Sequence, residues 1–303
     1  MNKSKAIFVG NRAIGEIADS KAFMRDLKTS CDAVALFKEY SDALAPHLET
    51  AFGGLARLLE SAVQLKSMTI TYFWERILNG ARSCLLLTDD NPTYSYTDTA
   101  SINRANLELA INCVALLKDK DNSLFASLIQ DGHRADKVAH NELKIWTEHP
   151  NKEISIPAKF QFDNTSVSTD EKIRHILHLL NVTSPGPLPT LSARAKYAGD
   201  SWYYLYVCRY RQLCGWSHFH PGEVFLSPMN RLKSGDECTG LRRGIEMLHF
   251  SYHLIFLLME DINSISGASS VELRQFYEKW MGRFKSITDQ SSFLGPIHIE
   301  ETN

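Results

Sequence analysis

The chain has 303 residues, 44% of them hydrophobic and 22% charged, with 33 Lys and Arg against 35 Asp and Glu for a net charge of −2. That length allows one large domain or two ordinary ones, with a core that needs no staples. The near-neutral balance excludes a global attractive field for nucleic acid, so any such affinity must come from a local patch.

The opening MNKSKAIFVGNRAIG is basic, but its apolar run of four is too short for a secretory signal. Residues 20–44 and 47–87 carry helical patterning and are divided at Pro46, with Gly53 and Gly54 weakening the start of the second helix. Residues 1–60 are expected to form an N-terminal helical extension, 61–290 a single helical domain and 291–303 a disordered tail. TDDNPTYSYTD, residues 88–98, is a loop. From 99 to 118, Ile102, Ala105, Leu109, Cys113, Leu116 and Leu117 form one apolar helical stripe, with Ser101 as the expected N-cap.

Residues 121–148 are expected to be a helix interrupted near Gly132 and ended by Pro150. NKEISIPAKFQFDNTSVST, residues 151–169, is expected to be irregular with one short extended piece. A helix follows over 169–181, carrying His175 and His178 as surface or interface histidines, and then the loop NVTSPGPLP. Asp200 is the natural cap of a helix over 200–219. Two more helices are expected over 237–263 and 270–286. The apolar stretch MLHFSYHLIFLLMED includes two histidines and is too short and too polar for a membrane span. Six cysteines at 31, 84, 113, 208, 214 and 238 show no C-x2-C spacing. They are expected to be buried free thiols of a cytoplasmic protein. Strand signals are few, so the fold class is all-α, a helical bundle.

The helix over 200–219 carries the chemistry. Arg211 and His218 are seven residues apart, which places them on one face about 10 Å apart along the axis. Gly215 stands between them and would open a notch for a phosphate or another helix. Trp202, Leu205, Tyr206, Leu213 and Trp216 form the opposite, core-facing stripe. Pro221 and Gly222 force the helix to end near His218, and a helix C-terminus favours an imidazolium. A guanidinium can hold phosphate oxygens bidentately, and an imidazole can move a proton near neutral pH. Upstream, Arg104 and Glu108 sit four apart as an intrahelical ion pair. Helices 99–118 and 200–219 are expected to be antiparallel neighbours with Glu108 near Arg211, because a half-buried arginine needs an anion.

Glu246, His249 and His253 offer a rival constellation. Their spacing of three and four puts them on one helical face, and Glu-x-x-His is half of a di-iron motif. No second copy occurs, which leaves two readings: histidines satisfied in a helix interface, or a mononuclear metal site. No cofactor is expected. There is no G-x-x-x-x-G-K-[ST] loop, no Rossmann fingerprint and no G-x-S-x-G elbow.

The string Arg211-Gln-Leu-Cys-Gly-Trp-Ser-His218 resembles the R-x4–6-H signature of the HEPN superfamily, the helical "higher eukaryotes and prokaryotes nucleotide-binding" domains. YRQLCGWSHFHP, with Tyr210 before the arginine and His220 after the motif, is similar to a bacterial family of unknown function whose upstream helix carries Arg and Glu four apart, as Arg104 and Glu108 do here. The resemblance covers residues 65–260 and implies a HEPN-like fold acting as a homodimer. It further implies a metal-independent endoribonuclease of a bacterial stress or defence system, Arg211 positioning the phosphate and His218 assisting attack by the ribose 2′-hydroxyl. Two departures stand out: Gln212 follows the arginine, and Cys214 stands where serine is common. The alternative reading is a catalytically silent module that binds a nucleotide or a protein partner.

Overall fold

The computed structural model describes residues 20–91, 95–165, 167–217 and 236–289. Every regular element among them is helical: α1 (Ser20–Ala43), α2 (Ala45–Leu59), α3 (Gln64–Asp90), α4 (Tyr96–Lys118), α5 (Ser123–Thr147), α6 (Lys152–Asn164), α7 (Asp170–Leu179), α8 (Leu191–Ala198), α9 (Asp200–Leu205), a π-helical turn (Tyr206–Tyr210), α10 (Arg211–Ser217), α11 (Asp236–Ser266) and α12 (Val271–Thr288). The fold is all-α. No helix of the described residues is long and apolar enough to cross a membrane.

The chain groups into two compact units that are discontinuous in sequence. One comprises Met1–Leu58, Tyr72–Ala110 and Tyr204–Asn303; the other comprises Leu59–Thr71 and Ile111–Tyr203. The aromatic residues of α1 build the core of the first unit. The Phe37 ring lies 4.9 Å from Trp280 and 5.4 Å from both Tyr252 and Phe284. Tyr40 lies 4.4 Å from Trp280 and stacks on Phe276 at 5.1 Å. Each buried ring of this kind stabilises by roughly 1.5–3 kcal/mol, with about 0.5–1.5 kcal/mol more for a well-placed aromatic pair.

A polar tie within the same unit joins α4 to α11. The buried Asn103 amide donates to the Met247 carbonyl at 2.7 Å, and the Ser251 hydroxyl donates back to Asn103 Oδ1 at 2.6 Å. Burying that amide unpaired would cost about 1–3 kcal/mol, so the pairing fixes the register of the two helices. Close helix approach also shapes this unit. A Cβ at Gly80 of α3 would collide with the side chain of Asn106 on α4, and one at Gly54 of α2 would lie 2.9 Å from Ser266 Oγ on α11.

In the second unit Asp119 ends α4 and starts α5. Its carboxylate accepts from the backbone N–H of Leu124 at 3.3 Å and of Phe125 at 3.0 Å, and its oxygen lies 3.7 Å from the buried Lys66 ammonium. Asn151, Thr169 and Thr190 cap α6, α7 and α8 with their side-chain oxygens. Gly199, at φ 135°, makes the sharp corner between α8 and α9, a conformation that side-chain-bearing residues avoid. Tyr203 N–H bonds to the Gly199 carbonyl, so Asp200 is the first residue of its helix and not the cap.

Several boundaries depart from the sequence reading. The expected helix 47–87 is two helices, broken between Leu59 and Gln64, with Pro46 seated harmlessly in the first turn of α2. Ser101 lies inside α4, where its hydroxyl donates to the Thr97 carbonyl. Gly132 does not interrupt α5. Residues 152–164 are helical despite Pro157, held in part by Ala158, which is buried, and by Phe162, which stacks on His140 of α5 at 4.2 Å.

Candidate functional site

The π-helical turn sets the geometry of the segment that carries Arg211. In an uninterrupted α-helix Leu205 and Leu213, eight residues apart, would sit about 80° out of phase. Both are buried, at 5% and 1% exposure, while Arg209 between them is exposed. A wider i→i+5 turn over Tyr206–Tyr210 lies between them. The sequence reading took 200–219 as one α-helix with Tyr206 in the core stripe. Tyr206 is instead half-buried and stacks on Tyr210 at 5.3 Å.

Tyr210 is the anchor. Its hydroxyl donates to Glu108 Oε1 on α4 at 2.6 Å, and Arg104 Nη2 donates to the same hydroxyl at 3.4 Å. The Arg104 guanidinium also lies 3.5 Å from Glu108 Oε1 and 5.5 Å from the centre of the Tyr210 ring. The three side chains close a small network within one unit. Burial and the bond to Glu108 push the Tyr210 phenol up to about 12, so it remains a neutral donor. Arg104 is held further toward its charged form, first by the Tyr210 hydroxyl and then by nearby Cys214 and Glu108.

Arg211 opens α10 immediately after this anchor. It is exposed and makes no hydrogen bond or ion pair with a described residue. The expected Glu108–Arg211 contact is therefore corrected by one position: Glu108 meets Tyr210, and an exposed arginine needs no buried counter-ion. A Cβ at Gly215 would meet nothing within 4 Å, so the space there is open. His218, His220, Pro221, Gly222 and the side chains of Trp216 and Cys238 lie outside the described residues.

The second constellation, Glu246, His249 and His253, lies on α11. Among the described residues no group of three His, Cys, Asp or Glu side chains is placed to hold a metal ion. His249 Nε2 lies 3.2 Å from Met281 Sδ, with its ring parallel to Phe284 at 5.2 Å and Trp280 at 5.9 Å. His253 Nδ1 lies 2.8 Å from the Tyr277 hydroxyl. Burial pushes the two imidazoles down to about 3 and about 4, so both are neutral members of an aromatic interface. His249 and His253 pack against α12.

Sequence reasoning missed Arg209. It lies within electrostatic reach of Glu246, His249 and His253, and Arg242 and Arg243 also bear on Glu246. Burial raises the Glu246 carboxyl, and the three arginines oppose that rise. Arg209 Nη1 donates to Gln212 Oε1 at 2.9 Å, and Arg243 covers the Tyr96 ring at 5.2 Å. The only signal in the sequence was the density of arginines around 209–211 and 242–243. The thiols also differ from expectation: Cys84 and Cys113 are buried, Cys214 is half-buried, and Cys31 and Cys208 are exposed.

Residues 68–229, more than half of the chain, match the sequence model of a family of unknown function, DUF5677. That span contains Arg104, Glu108, Tyr210, Arg211 and His218. No curated protein and no solved structure matches the chain.

Proposed function

The chain belongs to the DUF5677 family of unknown function, and we propose that it is a HEPN-like, metal-independent endoribonuclease whose site is built on Arg211 and His218. The observation that carries this reading is the 2.6 Å hydrogen bond from Tyr210 to Glu108. It fastens the turn before Arg211 to α4 and leaves the guanidinium exposed, as a phosphate-positioning group requires. Arg104 pairs with Glu108 at 3.5 Å, so Tyr210 and Glu108 are positioning residues. His218 enters through its spacing from Arg211 in the sequence.

In the proposed reaction Arg211 binds the non-bridging oxygens of the scissile phosphate and stabilises their growing charge. His218 accepts the proton of the ribose 2′-hydroxyl. The 2′-oxygen forms a bond to phosphorus as the bond to the 5′-oxygen breaks. The leaving oxygen takes a proton from solvent, and the product ends in a 2′,3′-cyclic phosphate. The bacterial stress or defence setting and the homodimer implied by the resemblance belong to the same proposal, and sedimentation tests the dimer.

The test is cleavage of mixed cellular RNA by wild type, Arg211→Ala and His218→Ala, with circular dichroism as the folding control. The proposal expects folded variants that have lost cleavage. Equal cleavage in all three would overturn it. Absence of cleavage in all three, with nucleotide binding that Arg211→Ala abolishes, would select the silent binding module.

A further inference from the structure

α6 is apolar on two opposite faces, and only one of them is covered. Its inner face carries Ala158, which is buried, and Phe162, which stacks on His140 of α5 at 4.2 Å. At about 100° per residue, Ile156 and Phe160 lie roughly 160° round the helix from Ala158, one on either side of the outward direction. They are 65% and 72% exposed. A surface helix normally carries one apolar stripe toward the core and a polar face opposite it, so a second stripe marks a second packing partner. α6 belongs wholly to the second compact unit, whereas Arg104, Glu108, Tyr210 and Arg211 belong to the first. The outward face is therefore separate from the Arg211 site, and its role does not depend on the nuclease reading.

We infer that α6 pairs antiparallel with α6 of a second copy of this chain through Ile156 and Phe160. The charges that border the face are self-complementary in that arrangement. Lys152 and Asp163 lie roughly 120° and 140° from Ala158 in the same sense, so both stand on one edge of the face, at opposite ends of the helix. Both are exposed, and neither makes an ion pair with a described residue. With the helices antiparallel and level at Ala158, Lys152 of one copy stands beside Asp163 of the other, and the twofold axis repeats the pair. The other edge sets Glu153 beside Asn164, so no carboxylate meets a carboxylate. Lys159, roughly 100° from Ala158, lies on the flank outside the facing surface. The antiparallel sense engages both charges and opposes the two helix dipoles; a parallel sense would leave Asp163 against Asn164.

One face of a 13-residue helix, about 20 Å long, supplies less than the roughly 800 Å² per partner of a standard interface. The pairing therefore belongs among weak, reversible associations.

Sedimentation equilibrium of the full chain over a series of concentrations tests this. The average mass should rise with concentration from that of one chain toward that of two. Phe160→Lys should keep the chain monomeric throughout, with an unchanged circular dichroism spectrum because the side chain is exposed; Ile156→Lys serves as the second variant. Lys152→Asp sets like charges together at two places and should weaken the dimer roughly fivefold, as reversing two exposed ion pairs should. Adding Asp163→Lys restores opposite charges and should recover the wild-type association. Wild type that stays monomeric at every concentration would overturn the proposal and leave the face to a partner other than this chain. A dimer that survives both Phe160→Lys and Ile156→Lys, or a double charge exchange that recovers nothing, would overturn it as well. Arg211→Ala should leave the association unchanged; loss of the dimer there would move the interface to the Arg211 site.

Discussion

Tyr210 and Arg211 are sequence neighbours with opposite environments. The phenol is tied to Glu108 and the guanidinium is exposed. Removing the hydroxyl in Tyr210→Phe leaves the Glu108 carboxylate with a weaker set of partners. Because Glu108 is 38% exposed, water replaces part of the lost bond, and the expected destabilisation is about 1 kcal/mol by denaturant unfolding. An unchanged midpoint would contradict the anchoring role. The two buried histidines make a pH prediction with a definite sign. Their folded values lie near 3 and 4, below the ordinary 6.5, so the unfolded chain binds protons that the folded chain refuses. Stability contributed by the neutral rings is complete above about pH 6.5 and is lost as pH falls toward 4, by about 1.4 kcal/mol per pH unit for each ring. The groups around them include Arg209, Tyr277, Met281, Trp280 and Phe284, with Glu246 one turn before His249 on the same helix; the positive charge of Arg209 opposes protonation of both rings. Urea midpoints between pH 7 and pH 4.5 should fall more steeply for wild type than for His253→Gln; parallel curves would contradict the assignment. The Arg104/Glu108 pair could be read from its spacing, since neighbours on one helix are fixed by the helical period. The grouping of Arg209 with Glu246 could not, because it joins residues 37 positions apart through tertiary packing.

Helices with a clear apolar stripe were read nearly to their ends, as α1, α7 and α12 were. The π-helical turn was not legible, because the residues of Tyr206–Tyr210 have no composition that distinguishes a wide turn from an α-helical one. α6 failed for a different reason: Ile154, Ile156 and Pro157 imitate an extended segment, and packing against α5 overrides that local preference. Two glycines inside helices test the same competition. Gly132→Ala meets no atom within 4 Å and should stabilise by about 0.5–1 kcal/mol, the usual gain of alanine over glycine in a helix. Gly80→Ala carries the same intrinsic gain but collides with the buried Asn106, and overpacking of this kind costs about 1–3 kcal/mol. Thermal unfolding of both variants should give shifts of opposite sign. Shifts of the same sign would mean that α3 and α4 are not held at the close approach described.

The class of the whole molecule was accessible because amphipathic periods are local: each stripe is written within a few turns of chain. Its grouping into two units was not, since residues 59–71 and 111–203 form one and the segments around them form the other. Such a division depends on which stripes meet, and nothing in a single stripe names its partner. The candidate site followed the same rule. Its members were legible as spacing, and the contact between Tyr210 and Glu108, 102 positions apart, became visible only in three dimensions. The most direct measurement on the central claim is cleavage of an RNA oligonucleotide and of its fully 2′-O-methylated counterpart by wild-type protein in excess EDTA. The account predicts that the RNA is cut to products ending in a 2′,3′-cyclic phosphate while the methylated strand, which lacks the attacking hydroxyl, stays whole. Cleavage of both strands, or activity that EDTA abolishes, would contradict it.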